Sequence, residues 1–260
     1  MQADFDGKIA VVTGSTQGLG AAVARQIAER GAAGVVVTGR DAGRGARVVE
    51  ELESLGSRSI FVHADLEDPA SPDMIIDSAD QTFGRIDVLV NSAGITDRDT
   101  IWDSTPELFD RMLTINTRAP WFLMQGTARM MVRDGVAGTM VNVLSISSHA
   151  GQPFIATYCA SKAALAVFTK NTANALRKHR IRVNALNPGW MSTPAEDRIQ
   201  REFHGAGDGW QEEAGKALPF GRLIDPEDAA KAVLFLASVE SGFMTGAVVD
   251  YDQHVIGAYD

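Results

Sequence analysis

Tyr158 and Lys162 lie four residues apart in SHAGQPFIATYCASKAAL (148–165), an alanine-rich stretch with helical spacing. One helical turn separates them, so a phenol and an ammonium share a helix face. A free tyrosine has a pKa of about 10, too high for a base at neutral pH. A nearby ammonium favours the phenolate and lowers that value. Such a pair can take a proton from an alcohol or return one to a ketone. Taken alone, the two residues read equally well as a surface pair, and the rest of the chain has to decide.

A second chemical signature opens the chain. VVTGSTQGLGAAVA (11–24) runs from a β-rich segment into a helical one. Gly14, Gly18 and Gly20 permit a tight turn and close backbone approach. The free N–H groups and positive dipole end of the following helix suit a pyrophosphate. The spacing is G-x3-G-x-G rather than the G-x-G-x-x-G of many dinucleotide folds. The next β-rich segment ends in VVVTGRD, with Arg40 where such folds often carry an acid for the ribose. An arginine there matches a 2′-phosphate and favours NADP over NAD. The competing reading leaves Arg40 solvated and gives the acid's role to Asp41. Asp65 could cap the adenine end, and NSAG (91–94) lets backbone approach the cofactor closely.

These groups need a frame, and the apolar pattern supplies one. KIAVVTG (8–14), GVVVTGR (34–40), SIFVHAD (59–65), RIDVLVNSAG (85–94), GTMVNVLS (138–145), IRVNALNPG (181–189) and GAVVDYD (246–252) read as strands. They are continuous apolar runs, as in a parallel sheet covered on both faces. Helical patterns fall between them, near 21–31, 46–56, 71–84, 105–133 and 158–179. The alternation predicts one domain over 1–260, an α/β doubly wound parallel sheet in three αβα layers. Right-handed crossovers put every strand's C-terminal end on one edge, where the motifs above also fall. The stretch 189–217 is polar, glycine-punctuated and irregular, and carries two tryptophans. It reads as a mobile lid over a ligand, the competing reading being a plain surface excursion.

Composition narrows the classes. The chain has 260 residues, 45% apolar and 22% charged, with a formal net charge of −9. That balance argues against a nucleic-acid partner and against an anionic membrane surface. No apolar run approaches a membrane span. MQADFDGKIA carries two acids and no apolar core, unlike a signal peptide. The single cysteine, Cys159, cannot form an intramolecular disulfide and reads as packing beside Tyr158. A soluble, cytoplasmic protein is expected.

TGSTQGLG, NSAG, Ser145, YCASK and NPG occur in the order and spacing of the classical short-chain dehydrogenase/reductase family, which the chain resembles over nearly its whole length. The resemblance implies a Rossmann-type, seven-stranded parallel sheet, a nicotinamide cofactor and carbonyl/alcohol redox chemistry. It implies a catalytic set of Asn116, Ser145, Tyr158 and Lys162. The serine lies thirteen positions before the tyrosine, which selects Ser145 over Ser147 and Ser148. Ser145 would hydrogen-bond the reacting oxygen. Lys162 would also hold the nicotinamide ribose, and Asn116 a water joining the lysine to solvent. Cofactor contacts would come from Gly14, Ser15, Thr16, Gln17, Gly18, Leu19 and Gly20 in the turn. Further contacts would come from Arg40, Asp65 and Leu66, from Asn91, Ala93 and Gly94, from Tyr158 and Lys162, and from Pro188, Gly189, Met191 and Thr193. Family members are mostly homotetramers paired through the two long helices, here 105–133 and 158–179.

The chain departs from the family pattern in three places. NSAG replaces the commoner N-N-A-G. Gln17 stands where many NADP enzymes carry a basic residue. VVDYDQ (248–253) replaces V-D-G-G, which marks a distinctive tail over 250–260.

Other chemistries fit poorly. The five histidines are scattered, and no H-E-x-x-H or Cys/His cluster suggests a metal. Ser145 sits in VLSIS rather than the G-x-S-x-G of a serine hydrolase. Ser147, His149, Trp190 and Glu196 are the candidates for facing substrate. The favoured substrate is a small polar secondary alcohol (a polyol, sugar or amino alcohol) and its ketone. The alternatives are reduction of a 3-oxoacyl thioester on an acyl carrier protein, or a regulator that binds cofactor without catalysis.

Overall fold

Each strand of the central sheet sorts its side chains by alternation. In β1 (Ile9–Thr13), Ala10 and Val12 join the core on one face and Val11 the core on the other. β2 (Gly34–Gly39) does the same with Val35 and Val37 against Val36. Both faces are apolar because both are covered, which is why these strands read as unbroken runs. β3 (Arg58–His63), β4 (Val88–Asn91), β5 (Thr139–Val143), β6 (Arg182–Pro188) and β7 (Val248–Tyr251) complete the sheet. The computed structural model describes residues 4–258. All seven strands are parallel, in the order β3-β2-β1-β4-β5-β6-β7. The winding reverses between β1 and β4, and the resulting crevice at the strand C-terminal ends is where such sheets bind ligands.

One face is covered by α1 (Gly18–Glu29), α2 (Ala42–Ser54) and a late C-terminal helix, Pro226–Ala237, which supplies Val233, Leu234 and Leu236 to the core. The other face is covered by α3 (Ser71–Phe83), by the long helix after β4, and by the helix that carries Tyr158. The seven-stranded, three-layer, single-domain expectation is therefore met.

Three details differ from the sequence expectations. The helix expected over 105–133 is split into α4 (Pro106–Leu113) and α5 (Ala119–Arg133) by a π-helical turn at Thr114–Arg118. Such a turn inserts one residue and re-aims side chains, and Asn116 lies inside it, fully buried. The helix carrying Tyr158, α6, runs Ala156–Leu176, and residues 177–179 tighten into a 3-10 turn.

The third difference lies in 189–217, which is helical where an irregular excursion was expected. α7 (Pro194–His204) and α8 (Trp210–Lys216) occupy most of it. The signal was local. Thr193 caps α7 by accepting from the Glu196 N–H at 3.1 Å, Pro194 opens the first turn, and Glu196 and Asp197 favour the helix N-terminus. Pairs at i,i+4, Asp197–Arg201 and Arg198–Glu202, run along its exposed side. The helix over Pro226–Ala237, α9, had no counterpart in the strand-and-helix pattern, although Asp225 caps it in the same way.

Of the sequence features named above, the first three residues of MQADFDGKIA and the last two of the 250–260 tail lie outside the described residues.

Candidate active site

The C-terminal edge of the sheet opens into one cavity of about 1550 Å³. At one end the turn after β1 meets the start of α1. A Cβ on Gly14 would lie 2.7 Å from the Ala93 Cα, and one on Gly20 would collide with the Gly14 carbonyl. The turn thus packs closer than any side chain allows. Gln17 precedes α1 without a side-chain cap, and the first turn of α1 holds no acid. α2, α4, α7 and α9 are each capped by an Asp or Thr side chain. The first N–H groups of α1 thus meet the cavity without a side-chain acceptor, an arrangement that suits an anion. Thr16, Gln17, Gly18, Leu19 and Gly20 line this end. These features fit the pyrophosphate of a dinucleotide.

Next along the cavity, Gly39 and Arg40 leave β2, and Asp65 and Leu66 follow β3. Arg40 lies 3.9 Å from Asp65. Asp41 caps α2 by accepting from the Arg44 N–H at 2.8 Å and pairs with the Arg44 side chain at 3.0 Å. That engagement removes Asp41 from the cavity wall and leaves Arg40 on it, beside a second arginine, Arg44, whose Nη1 donates to Gln17 Oε1. Sequence reading missed Arg44. Its signal was the R-x3-R spacing of Arg40, just after β2, and Arg44, in the first turn of α2.

At the far end lie Ser145, Tyr158 and Lys162, with Ala93 and Gly94 between the two ends. Ser145 follows β5, and its hydroxyl is close enough to the phenol to lower the Tyr158 pKa. Lys162 donates from Nζ to the Val143 carbonyl at 2.9 Å, and Nζ lies 5.8 Å from the centre of the Tyr158 ring. Burial dominates the phenol: desolvation pushes its pKa up to about 12, with the Ser145 hydrogen bond opposing and the Glu196 charge adding. The lowering expected from Lys162 is not what this arrangement gives. Burial also pulls the Lys162 ammonium down to about 8.

Asn116 stands behind the wall. Its Oδ1 accepts from the Ile95 N–H and its Nδ2 donates to the Ile95 carbonyl, both at 2.9 Å, and Nδ2 also reaches Ser161 Oγ at 3.1 Å. It ties the 91–95 segment to α6. Asn91 donates to Asn142 Oδ1 at 2.9 Å, Ser15 Oγ donates to the Val12 carbonyl at 2.6 Å, and Pro188 is buried in β6. These three support the wall from behind and are not among the residues that line the cavity.

Gly189, Trp190, Met191, Thr193 and Glu196 line the side formed after β6. Glu196 Oε1 accepts from Trp190 Nε1 and from Gln200 Nε2, each at 2.8 Å. Trp190 and Trp210 pack together with ring centres 5.8 Å apart. Ser147 lines the cavity and donates to Gln152 Oε1 at 2.6 Å. His149 does not. Its Nε2 lies 2.9 Å from Asp250 Oδ1 on β7, which turns the ring towards the end of the sheet. Cys159 is buried with Met112 and Ile155, and burial raises its thiol pKa, in keeping with packing. Among the described residues no group of three or more His, Cys, Asp or Glu is placed to hold a metal, and no helix is long and apolar enough to cross a membrane.

A doubly wound sheet, a glycine turn opening on an uncapped helix and a buried Ser–Tyr–Lys group on one cavity define a dinucleotide-dependent oxidoreductase. A family model described as enoyl-(acyl carrier protein) reductase matches residues 14–253. The chain is 34% identical over 253 residues to an L-rhamnose 1-dehydrogenase (NAD(P)(+)) of a Sphingomonas strain, covering 95% of this chain and 96% of that one. It is 32% identical to galactitol 2-dehydrogenase of Agrobacterium fabrum, covering 95% and 97%. Among solved structures, L-sorbose reductase from Gluconobacter frateurii, complexed with NADPH and L-sorbose, superposes with a TM-score of 0.91 at 29% identity over 100% of both chains. The chain belongs to the classical short-chain dehydrogenase/reductase family. It is an NAD(P)-dependent oxidoreductase of alcohols and ketones.

Proposed function

We propose that the chain interconverts a small polyhydroxylated secondary alcohol and its ketone with NADP, and that Tyr158 is its general acid and base. The observation that carries this is the buried phenol of Tyr158, which meets Ser145 on the same cavity as the glycine turn. When bound, the nicotinamide coenzyme supplies or accepts the hydride. Tyr158 gives its proton to the carbonyl oxygen, or takes one from the alcohol, while Ser145 fixes that oxygen by a hydrogen bond. A phenol held at about 12 is fully protonated at neutral pH, the form that reduction needs. Oxidation needs more positive charge beside the ring to lower that value.

The NADP preference rests on Arg40 and Arg44 at the adenosine end, with Asp41 occupied as a helix cap. The substrate class follows the polar lining of Ser147, Gln152 and Glu196, and agrees with the sugar and polyol names of the relatives. Residues 189–217 serve as the lid. Exposed Phe122 on α5 and Val167 on α6 support pairing of copies through these helices into a homotetramer. A reducing compartment, the cytoplasm, suits the one buried thiol.

Tyr158→Phe tests the reading. Turnover should fall by about 10²- to 10⁴-fold, with coenzyme binding retained. Unchanged turnover on the best substrate of an alcohol panel would remove Tyr158 from the chemistry.

A further inference from the structure

Five arginines line the cavity: Arg40, Arg44, Arg98, Arg111 and Arg198. Four have a carboxylate within ion-pair distance. Arg40 pairs with Asp65 at 3.9 Å, Arg44 with Asp41 at 3.0 Å, Arg111 with Asp97 at 2.8 Å and Arg198 with Glu202 at 2.8 Å. Arg98 has none among the described residues. It is half-buried, and burial holds its pKa below the ordinary arginine value.

Arg98 is nonetheless held firmly. Nε donates to His204 Nε2 at 3.0 Å, and Nη1 donates to the Thr96 carbonyl at 2.8 Å. The guanidinium lies 5.6 Å over the Phe154 ring, whose edge meets His204. Nη2 makes no hydrogen bond among the described residues. The charges of Glu196 and Asp97 act on Arg98 through space, but both acids lie beyond ion-pair distance and each has another partner. Asp97 Oδ2 is held by Arg111, and Glu196 Oε1 by Trp190 and Gln200. Arg98 and Tyr158 are close enough that each charge acts on the other.

A half-buried guanidinium with no carboxylate in direct contact is poorly compensated, and its planar fork matches a carboxylate. Among the described residues Arg98 is the one cavity arginine with no carboxylate within ion-pair distance, and its open Nη2 suits an incoming anion. The geometry points to Arg98 as the ligand of a substrate carboxylate, so that the alcohol oxidised or ketone reduced at Tyr158 belongs to a hydroxy acid or oxo acid. The inference rests on the alcohol–ketone reading above. The carboxylate takes no part in the redox step. In oxidation the bound coenzyme would accept the carbinol hydride, the ionised Tyr158 phenolate takes the hydroxyl proton and becomes the phenol, and a C=O bond forms.

The test compares matched substrates that differ in the acid group: gluconate with sorbitol, glycerate with glycerol, and 3-hydroxybutyrate with 2-butanol. For the wild type, kcat/KM should favour the acid in at least one pair by tenfold or more. Arg98→Gln should cut that preference by about 10- to 100-fold, the worth of charge-assisted hydrogen bonds, and Arg98→Lys, which keeps the charge without the fork, should keep part of it. Neutral alcohols preferred in every pair would overturn the inference and leave the dehydrogenase reading intact. So would an acid preference that Arg98→Gln leaves unchanged. Calorimetric titration of gluconate, glycerate and 3-hydroxybutyrate into Tyr158→Phe needs no turnover. Binding of an acid that is lost when Arg98→Gln is added supports the inference even if no pair turns over, a result that would count against the alcohol–ketone reading instead. No acid bound and no acid turned over would overturn it.

Discussion

Lys162 points its ammonium at the carbonyl of Val143, 2.9 Å away, the one hydrogen bond of its Nζ among the described residues, in a residue that is 4% exposed. The lysine is therefore stabilised as a donor but poorly compensated as a charge, and burial lowers its pKa from 10.5 to about 8.

The stability consequence has a definite sign. Below pH 8 the lysine is charged in both the folded and unfolded chain, and folding carries the full desolvation cost. Between 8 and 10.5 the folded lysine loses its proton while the unfolded one keeps it, so the cost is shed as pH rises. The shift corresponds to about 3 kcal/mol at most. Lys162→Met removes this dependence, although it also loses the bond to Val143, worth about 1 kcal/mol at any pH. Urea unfolding of the coenzyme-free protein should show wild type gaining on Lys162→Met as pH rises from 7 to 10. Parallel curves would mean that Lys162 is not held as described.

Arg40 and Arg44 line the cavity together, where the proposed NADP would place its adenosine phosphate, while Asp41 is committed to capping α2. Replacing either arginine by alanine should weaken NADPH binding by about 10- to 100-fold, as expected for charge-assisted bonds to a phosphate. NADH binding should change little. Fluorescence titration of both reduced coenzymes measures this directly. Equal or tighter binding of NADH to the wild type would reverse the preference.

Asp99 is 2% exposed and lies 58 residues from its main partner. Its carboxylate accepts from the Thr157 N–H at 3.2 Å, from the Thr157 hydroxyl and from Ser104 Oγ at 2.9 Å. Ile155, at the start of α6, offers no side-chain cap, so Asp99 caps the helix from another segment. Thr157 adjoins Tyr158, so a change at Asp99 is expected to reach the phenol through the start of α6. Asp99→Ala should cost about 1–3 kcal/mol of stability by leaving a buried donor unmade. It should also lower kcat while leaving the coenzyme KM near the wild-type value. Asp99→Asn should restore part of both. A kcat that survives Asp99→Ala would reduce its role to the fold alone.

What the sequence makes legible follows from how local each feature is. Tyr158 and Lys162 share one helix turn, and Gly14 to Gly20 share one strand-to-helix turn, so spacing alone displays them. The sheet is legible because parallel strands must be apolar on both faces. The Asp99–Thr157 cap, the unpaired Arg98 and the Val143 bond of Lys162 are set by chain segments that meet only in the folded state. α7 is the reverse case. Its Thr193–Pro194 start and i,i+4 pairs are local, but polarity and glycines masked them. The Tyr158 pKa was misjudged because spacing shows a neighbouring charge and hides burial, which is the larger effect here.

The unusual VVDYDQ segment has a structural counterpart at Gly189. Asp252 stands where the resembling family's V-D-G-G pattern ends in glycine, and its side chain is 5% exposed. Its carboxylate occupies the space that a Cβ on Gly189 would fill, and the His254 ring nitrogen Nδ1 lies 3.2 Å from its Oδ2. Both Asp252 and His254 line the cavity beside Trp190 and Met191. A side chain at 189 and a carboxylate at 252 therefore exclude one another. Gly189→Ala should push the tail outwards, cost about 1–3 kcal/mol as overpacking does, and raise the substrate KM. Asp252→Gly alone should be tolerated far better, since it only opens space. The double variant should recover most of the loss, giving a coupling energy of about 0.5–3 kcal/mol between the two sites. Thermal unfolding and KM of the four proteins complete the cycle. Simple additivity would show that the tail does not pack against Gly189 in solution.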